Sequence, residues 1–521
     1  MLRNIGSNWA LAVVQILVLI QLTPVQITAL GAPMQGAWLT IASLTSILGL
    51  LILGVPMASV RFLAVHVARR EIDLVNEAIA TCLGICLGLG AAAVLVGAGL
   101  YVFFEHTYLH SPAWQPLGPE ILRQARMAYW IVVAQVGLGF AAQIPFGVLD
   151  AHHAFVARNS VKIAGLVLRV ALIVGVLRLH ASLVVLALVQ GAVMVLELVV
   201  AVGLIRRFWP EVRFGLRGFD RARMREILGF SLFAMLLNMG SQLAFQSDQL
   251  VINAYGSPEQ GTLFDVGNKF FPPLVGLVLG IGMVIMPMAT KLQATGQMEE
   301  LRHLFLKWSK IAYSIALLAG AFLLVLGPEF VAWWMGPAFA APSGRVVRVL
   351  MLAFLIFLPV RGVASPMLMG LGKPVLTSIA FVVMGAVNLG LSLVLMKPLG
   401  ILGVAIGTAI PCALFAVTVA TLACREIGVP LSTYAGYVIG RPTLGALVPI
   451  LFLVSLKRGA HAFPVMAPRW VVFIPLFAAG LGMTALFAAV WILFVYRDDP
   501  YFDLAGKAER FLPGILRRKA P

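Results

Sequence analysis

The chain is 521 residues long, 61% hydrophobic and only 11% charged, with a mean hydropathy of +0.99. A soluble globular chain is about 25% charged, so this composition excludes a soluble domain and points to a polytopic membrane protein. The net charge of +17 does not point to nucleic acid. No compact basic domain lies outside the apolar segments, and Lys and Arg gather in the connections between them, where they favour anionic lipid.

A membrane span needs about 20 apolar residues. Fourteen stretches qualify, at 8–30, 36–59, 79–104, 124–149, 161–178, 181–205, 228–253, 262–290, 309–332, 346–371, 375–396, 400–424, 436–456 and 470–496. The first begins soon after Arg3 with no small-residue cleavage site behind it, and is expected to be a retained helix. The first connection, Ile27–Gly36 (ITALGAPMQG), recurs as Ile252–Gly261 (INAYGSPEQG). Ile27/Ile252, Ala29/Ala254, Gly31/Gly256, Pro33/Pro258, Gln35/Gln260 and Gly36/Gly261 match in register. Gly and Pro are expected to break the helix in each copy. The match marks the first loop of a duplicated half. Spans four to six and ten to twelve share a layout too: a long helix, a turn, a short helix, a brief turn at 178–181 or 397–400, and another helix.

The expected organisation is therefore an N-lobe over 1–205, a basic linker over 206–227, a C-lobe over 228–424, two extra helices over 425–496 and a basic tail over 497–521. The two six-helix repeats have the same orientation. A pseudo-twofold along the membrane normal would relate them, with a cavity between. With the N-terminus inside, 25 of the 38 Lys and Arg fall in inside segments and 9 in outside ones. This places both termini in the cytoplasm. The linker, with seven arginines, is expected to be a solvated, lipid-facing helix or loop. Cys82, Cys86, Cys412 and Cys424 lie in or at the end of apolar segments without a completing ligand set. They are expected to pack, with no disulfide, metal or cofactor.

Residues 29–64, ALGAPMQGAWLTIASLTSILGLLILGVPMASVRFLA, and 245–270, FQSDQLVINAYGSPEQGTLFDVGNKF, carry a resemblance. They resemble the first-to-second and seventh-to-eighth helix regions of polysaccharide (O-antigen type) flippases. LGPEFVAWWMGPAF at 326–339 and MLMGLGKPV at 367–375 are similar to later loops of that family. These belong to the multidrug/oligosaccharidyl-lipid/polysaccharide exporter superfamily. The resemblance implies an all-α membrane protein of fourteen helices, two lobes of six and two more. It also implies a monomer in the bacterial inner membrane that flips a polyprenyl-pyrophosphate-linked oligosaccharide by alternating access. A glycan polymerase or glycosyltransferases are the protein partners it suggests.

No nucleophile elbow, phosphate loop, zinc motif or paired-carboxylate site stands out, so catalysis is not expected; nor is an ATP-binding domain present to drive transport. Charges at membrane depth each need a reason. Arg361 sits mid-way along the tenth span between Pro359 and Gly362, a broken-helix setting suited to an anion; a structural partner is the alternative. Lys269 lies four residues after Asp265, so substrate contact and a local ion pair are both open. Arg123 and Arg126 begin the fourth span and either form a cationic vestibule or snorkel. Asp248, near the outer end of the seventh span, is a candidate partner for Lys269 in an outer gate. Arg169 and Glu197 sit at matching depths in adjacent spans, as a structural ion pair would. Arg441 either meets a lipid headgroup or snorkels. Gln15, Gln21, Gln26, Gln135, Gln143, Gln242 and Gln246 suit sugar hydroxyls or interhelix hydrogen bonds equally.

Two rival transporters are weaker fits. A cation-coupled drug antiporter needs intramembrane carboxylates, often on the first helix, and that span has none. A lipid II flippase resembles this layout but carries an Asn and an Asp one turn apart on the eleventh helix, where this chain has Asn388 and Ser392. A non-transporting scaffold for glycan assembly is a third reading.

Overall fold

The computed structural model describes residues 2–52, 55–225, 227–228, 240, 242, 244–459 and 469–502. Among them the chain is helical, with no strand. Among the described residues twelve helices or helix pairs are long and apolar enough to cross a membrane. Half of the predicted seventh span and most of the tail over 497–521 lie outside the described residues. The chain divides into two compact units, Met1–Thr262 and Leu263–Pro521.

The first unit contains α1 (Leu2–Leu48), α2 (Val55–Arg69), α3 (Ile72–Phe104), α4 (Gly118–Ala151), α5 (Phe155–Leu177), α6 (Leu183–Phe208) and α7 (Ser247–Tyr255). The helical run of α1 is broken at Gly31, where φ is 76° and ψ 157°. That conformation is outside the helical region and costs an L side chain what it does not cost glycine. The second copy of the repeated loop breaks at the matching residue: α7 ends at Tyr255, and Gly256 is its cap at φ −115° and ψ −129°. The break expected from Gly and Pro is present in both copies. The two copies also pack on each other. Thr262 Oγ1 donates to Ala32 O at 2.6 Å, and Asn253 Nδ2 donates to Thr40 Oγ1 at 2.6 Å.

The basic linker is neither a lone helix nor loose in solvent. From Trp209 to Asp220 it is irregular, and it lies along the start of α3. Asn76 holds it at both ends of its amide, donating to Glu211 O at 3.1 Å and accepting from Arg213 N at 2.8 Å. Thr81 Oγ1 accepts from Asp220 N at 3.0 Å. Of its seven arginines, Arg223 is half-buried and the others are exposed. The pinned backbone therefore leaves the positive charge facing outward.

The second unit contains α8 (Pro258–Asn268, which begins in the first unit), α9 (Phe271–Ala294), α10 (Met298–Met335), α11 (Pro337–Pro359) and α12 (Ser365–Gly370). Then come α13 (Pro374–Leu399), α14 (Ile401–Ile427), α15 (Arg441–Arg458) and α16 (Arg469–Val490). Proline at an N-terminal position starts several of them, where its missing N–H costs nothing; α11 and α13 begin at Pro337 and Pro374. Inside α10, Pro328 cannot donate to Leu324 O. Arg348 of α11 fills the vacancy, donating through Nε to Leu324 O at 2.9 Å and through Nη2 to Val325 O at 3.1 Å. α15 and α16 pack on α10. Arg441 closes the end of this bundle, donating to Phe494 O at 2.7 Å and Arg497 O at 2.8 Å. The four cysteines are buried and unlinked.

Candidate functional site

Two features stand out, one in each unit. In the first unit a cavity of about 1000 Å³ opens among α1, α2, α4, α5 and α6. Its walls are apolar at Leu11, Pro56, Val60, Ala142, Leu166 and Met194. Its polar lining is Gln15, Gln143, Asp150, Arg158, Lys162, Arg169 and Glu197. On α5, Arg158, Lys162, Gly165 and Arg169 recur at helical spacing and form one stripe. The facing carboxylates come from α4 and α6. Arg158 Nη1 pairs with Asp150 Oδ2 at 2.8 Å, and Lys162 Nζ with Glu197 Oε2 at 2.7 Å. Arg169 Nη2 stands 3.8 Å from Glu197 Oε1, beyond hydrogen-bond reach.

Among the described residues three cations thus face two carboxylates. The imbalance falls on Arg169, whose buried Nε has no hydrogen-bond partner among the described residues. Lys162 also lies 4.0 Å from the centroid of the Phe146 ring, a cation–π contact that holds its ammonium at the cavity wall. Glu197 is buried because α6 approaches α5 at Gly165. A Cβ there would stand 2.1 Å from Glu197 Oε1. Gly165→Ala is therefore expected to push Glu197 off Lys162 and to destabilise the protein by about 1–3 kcal/mol, as overpacking does. Thermal unfolding in detergent measures the loss, and its disappearance when Glu197→Ala is added would confirm the cause.

In the second unit, Arg361 lies in a π-helical turn, Val360–Ala364, that interrupts the helix between α11 and α12. Such turns replace the regular hydrogen-bond ladder locally and are frequent at functional sites. Its guanidinium stands 4.8 Å from the centroid of the Phe381 ring on α13. Phe381 is buttressed by Phe415 of α14 at 4.6 Å. Among the described residues no carboxylate pairs with Arg361 and no hydrogen bond holds its guanidinium. Among those residues its half-buried charge is met by an aromatic face.

The other candidate residues are committed elsewhere. Lys269 Nζ binds both oxygens of Asp265, at 2.7 and 3.0 Å, the local pair that the spacing allows. Arg126 pairs with Glu105 at 2.7 Å and Arg123 with Glu120 at 2.9 Å, so each has a carboxylate partner. Gln135 donates to Ala187 O at 2.7 Å, an interhelix bond. Gln242 reaches Ser46 O at 3.4 Å. Asp248 is buried at the start of α7. Asn388 donates to Thr408 Oγ1 at 2.9 Å, joining α13 to α14.

Arg169 and Glu197 were legible from their matched depths. Arg158 and Asp150 were not, because a hydropathy reading assigns them to a connection, and Lys162 stands at the edge of that connection. For Arg158 and Lys162 the signal is the stripe of α5, which begins about one turn before the apolar span at 161–178.

Comparison with known proteins gives the family and the fold. The model of a family described as polysaccharide biosynthesis protein matches residues 1–293. No curated protein sequence matches the chain. The lipid II flippase MurJ in an inward closed conformation superposes with a TM-score of 0.69 at 12% identity, over 96% of this chain and 99% of that one. An inward-facing multidrug resistance MATE family transporter of the MOP superfamily gives 0.64 at 18% identity, over 80% and 98%. A MOP superfamily transporter from Pyrococcus furiosus gives 0.55 at 17%, over 80% and 96%. At these identities the likeness is one of fold.

Proposed function

We infer that this chain, which belongs to the polysaccharide biosynthesis protein family, is a flippase for a lipid-linked glycan. It would move a polyprenyl-pyrophosphate-linked oligosaccharide between leaflets by alternating access. The multi-pass helical fold and the family membership support a flippase or transporter; the substrate is our reading. The observation that carries it is Arg361. A guanidinium at membrane depth with no carboxylate beside it among the described residues is expensive to maintain, and an anionic ligand would meet its charge. A pyrophosphate offers the geometry that an Arg fork binds best. Amide side chains along the path suit sugar hydroxyls, and the lipid tail stays in the bilayer. The same charge disfavours a cationic drug.

Both termini in the cytoplasm of a cell with an inner membrane fit this reading, as does a monomeric pathway. The test is reconstitution in liposomes with a fluorescent lipid-linked oligosaccharide. Arg361→Ala is expected to lower the flipping rate about tenfold or more, the scale of one charge-assisted hydrogen bond. Wild-type protein that moves a cationic drug and not the glycan lipid would replace this function with drug antiport. Flipping unchanged in Arg361→Ala would keep the function and remove the site.

A further inference from the structure

We propose that the cavity of the first unit is a second anion site, and that Glu197 occupies it as a resident anion until the ligand's own oxyanion displaces it. The ligand class is a phosphate-type oxyanion carried on an apolar chain; the lipid part of that statement rests on the flippase reading above.

Three observations carry the proposal. The first is charge. Lys162 and Arg169 converge on one carboxylate, while Arg158 is engaged by Asp150 at 2.8 Å and by Asn159 Oδ1 at 3.1 and 3.0 Å. Among the described residues the cavity therefore holds one cation more than it holds carboxylates. The second is hydrogen bonding. A guanidinium has five N–H donors, yet the contact of Arg169 with Glu197 is 3.8 Å and its buried Nε has no partner among the described residues. A structural ion pair in a low-dielectric setting gains from a tight fork, and this one is open. The third is the lining. Gln15 and Gln143 offer neutral donors and acceptors beside the cations, while Leu11, Val60, Leu166 and Met194 form an apolar wall. A tetrahedral oxyanion at the Glu197 position would bridge Lys162 and Arg169 and supply more acceptors than one carboxylate does. The apolar wall would hold the first part of the chain that bears it.

Glu197 then has a role that a packing residue lacks. Its single negative charge offsets part of that of Lys162 and Arg169, and it competes with the ligand for them. Competition sets the sign of the test. If Glu197 is only one half of a structural pair, Glu197→Gln loses stability and leaves ligand affinity unchanged or lower. If it is a competitor, Glu197→Gln binds the anion more tightly, because the amide keeps the shape and surrenders the charge.

The experiment measures binding to the purified full chain in detergent by thermal shift and by direct titration. The probes are farnesyl pyrophosphate, farnesol and inorganic pyrophosphate. Farnesyl pyrophosphate is expected to stabilise wild type, with farnesol inactive. Inorganic pyrophosphate is expected to bind more weakly at the same residues; equal binding of the two would place the site with free phosphates and remove the lipid from the proposal. Glu197→Gln is expected to tighten binding about tenfold and Arg169→Ala to weaken it by at least as much, each the equivalent of one hydrogen bond to a charged group. Arg169→Lys, which keeps the charge but not the fork, provides an intermediate value and serves if the alanine variant fails to fold. Identical affinities in wild type, Glu197→Gln and the Arg169 variants would overturn the proposal. So would an absence of binding by both pyrophosphates. Glycan-lipid flipping measured on the same preparations separates the two readings. Flipping without an effect at Arg169 or Glu197 removes this site alone, and anion binding that depends on both residues without flipping removes the transport function alone.

Discussion

Asp499→Ala is expected to destabilise the second unit by about 3–5 kcal/mol, the cost of leaving a buried charge without its partner. Neither Asp499 nor Lys310 exposes any of its side chain. Lys310 Nζ donates to Asp499 and, at 2.9 Å, to Val495 O. Tyr437 donates its hydroxyl to Asp499 at 2.7 Å, and the backbone N–H groups of Tyr501 and Phe502 donate to it at 3.0 Å each. The rings of Tyr437 and Tyr496 stand 4.3 and 4.8 Å from the ammonium. The carboxylate therefore joins α10, the turn before α15 and the segment after α16. Its removal strands one cation and three donors at once. Thermal unfolding in detergent measures the effect. Lys310→Met added to Asp499→Ala is expected to recover most of the loss, since an apolar replacement of a buried pair is near neutral or better. A loss below about 1 kcal/mol in the single variant, within the range of an exposed pair, would mean that the cluster does not hold the last two helices.

That cluster illustrates what the sequence conceals. Lys310 stands at the start of an apolar span and Asp499 in a basic tail, so each looks like a solvated end residue. Their contact joins positions 189 apart in the chain, and no periodicity connects them. Arg126 and Glu105 are similar: each terminates a different span, and only the return of the chain between α3 and α4 brings them together. What is legible follows from local rules. The glycine at matching places in the two repeated loops required a helix break, and α1 and α7 both break there. Lys269 and Asp265 are one helical turn apart and pair as that spacing allows. Arg361, flanked by proline and glycine in an apolar run, lies in an interrupted helix. The docking of the linker on α3 was illegible for a different reason. Backbone groups carry most of it, and every residue has those.

Gly36→Ala is expected to cost about 3 kcal/mol or more, the upper end of overpacking, and to separate the two copies of the repeated loop. A Cβ at Gly36 would stand 1.7 Å from Pro258 O and 2.7 Å from Pro258 Cα. Both are backbone atoms, so no side-chain rotation relieves the clash, and one segment must move. The bonds at stake are Thr262 to Ala32 at 2.6 Å and Asn253 to Thr40 at 2.6 Å. Trp114 Nε1 also donates to Asn253 O at 3.1 Å and Tyr108 Oη to Leu250 O at 3.1 Å, so a shift of α7 carries the end of α3 and the loop before α4 with it. Thermal unfolding gives the energy. The yield of a disulfide between Ala32→Cys and Thr262→Cys gives the separation, and it should fall when Gly36→Ala is added. The native cysteines are buried and give a low background. Unchanged unfolding and unchanged yield would show that the two segments touch without depending on each other. A lower yield with little loss of stability would mean that the fold tolerates the segments apart, which is the property a gate between two transport states requires.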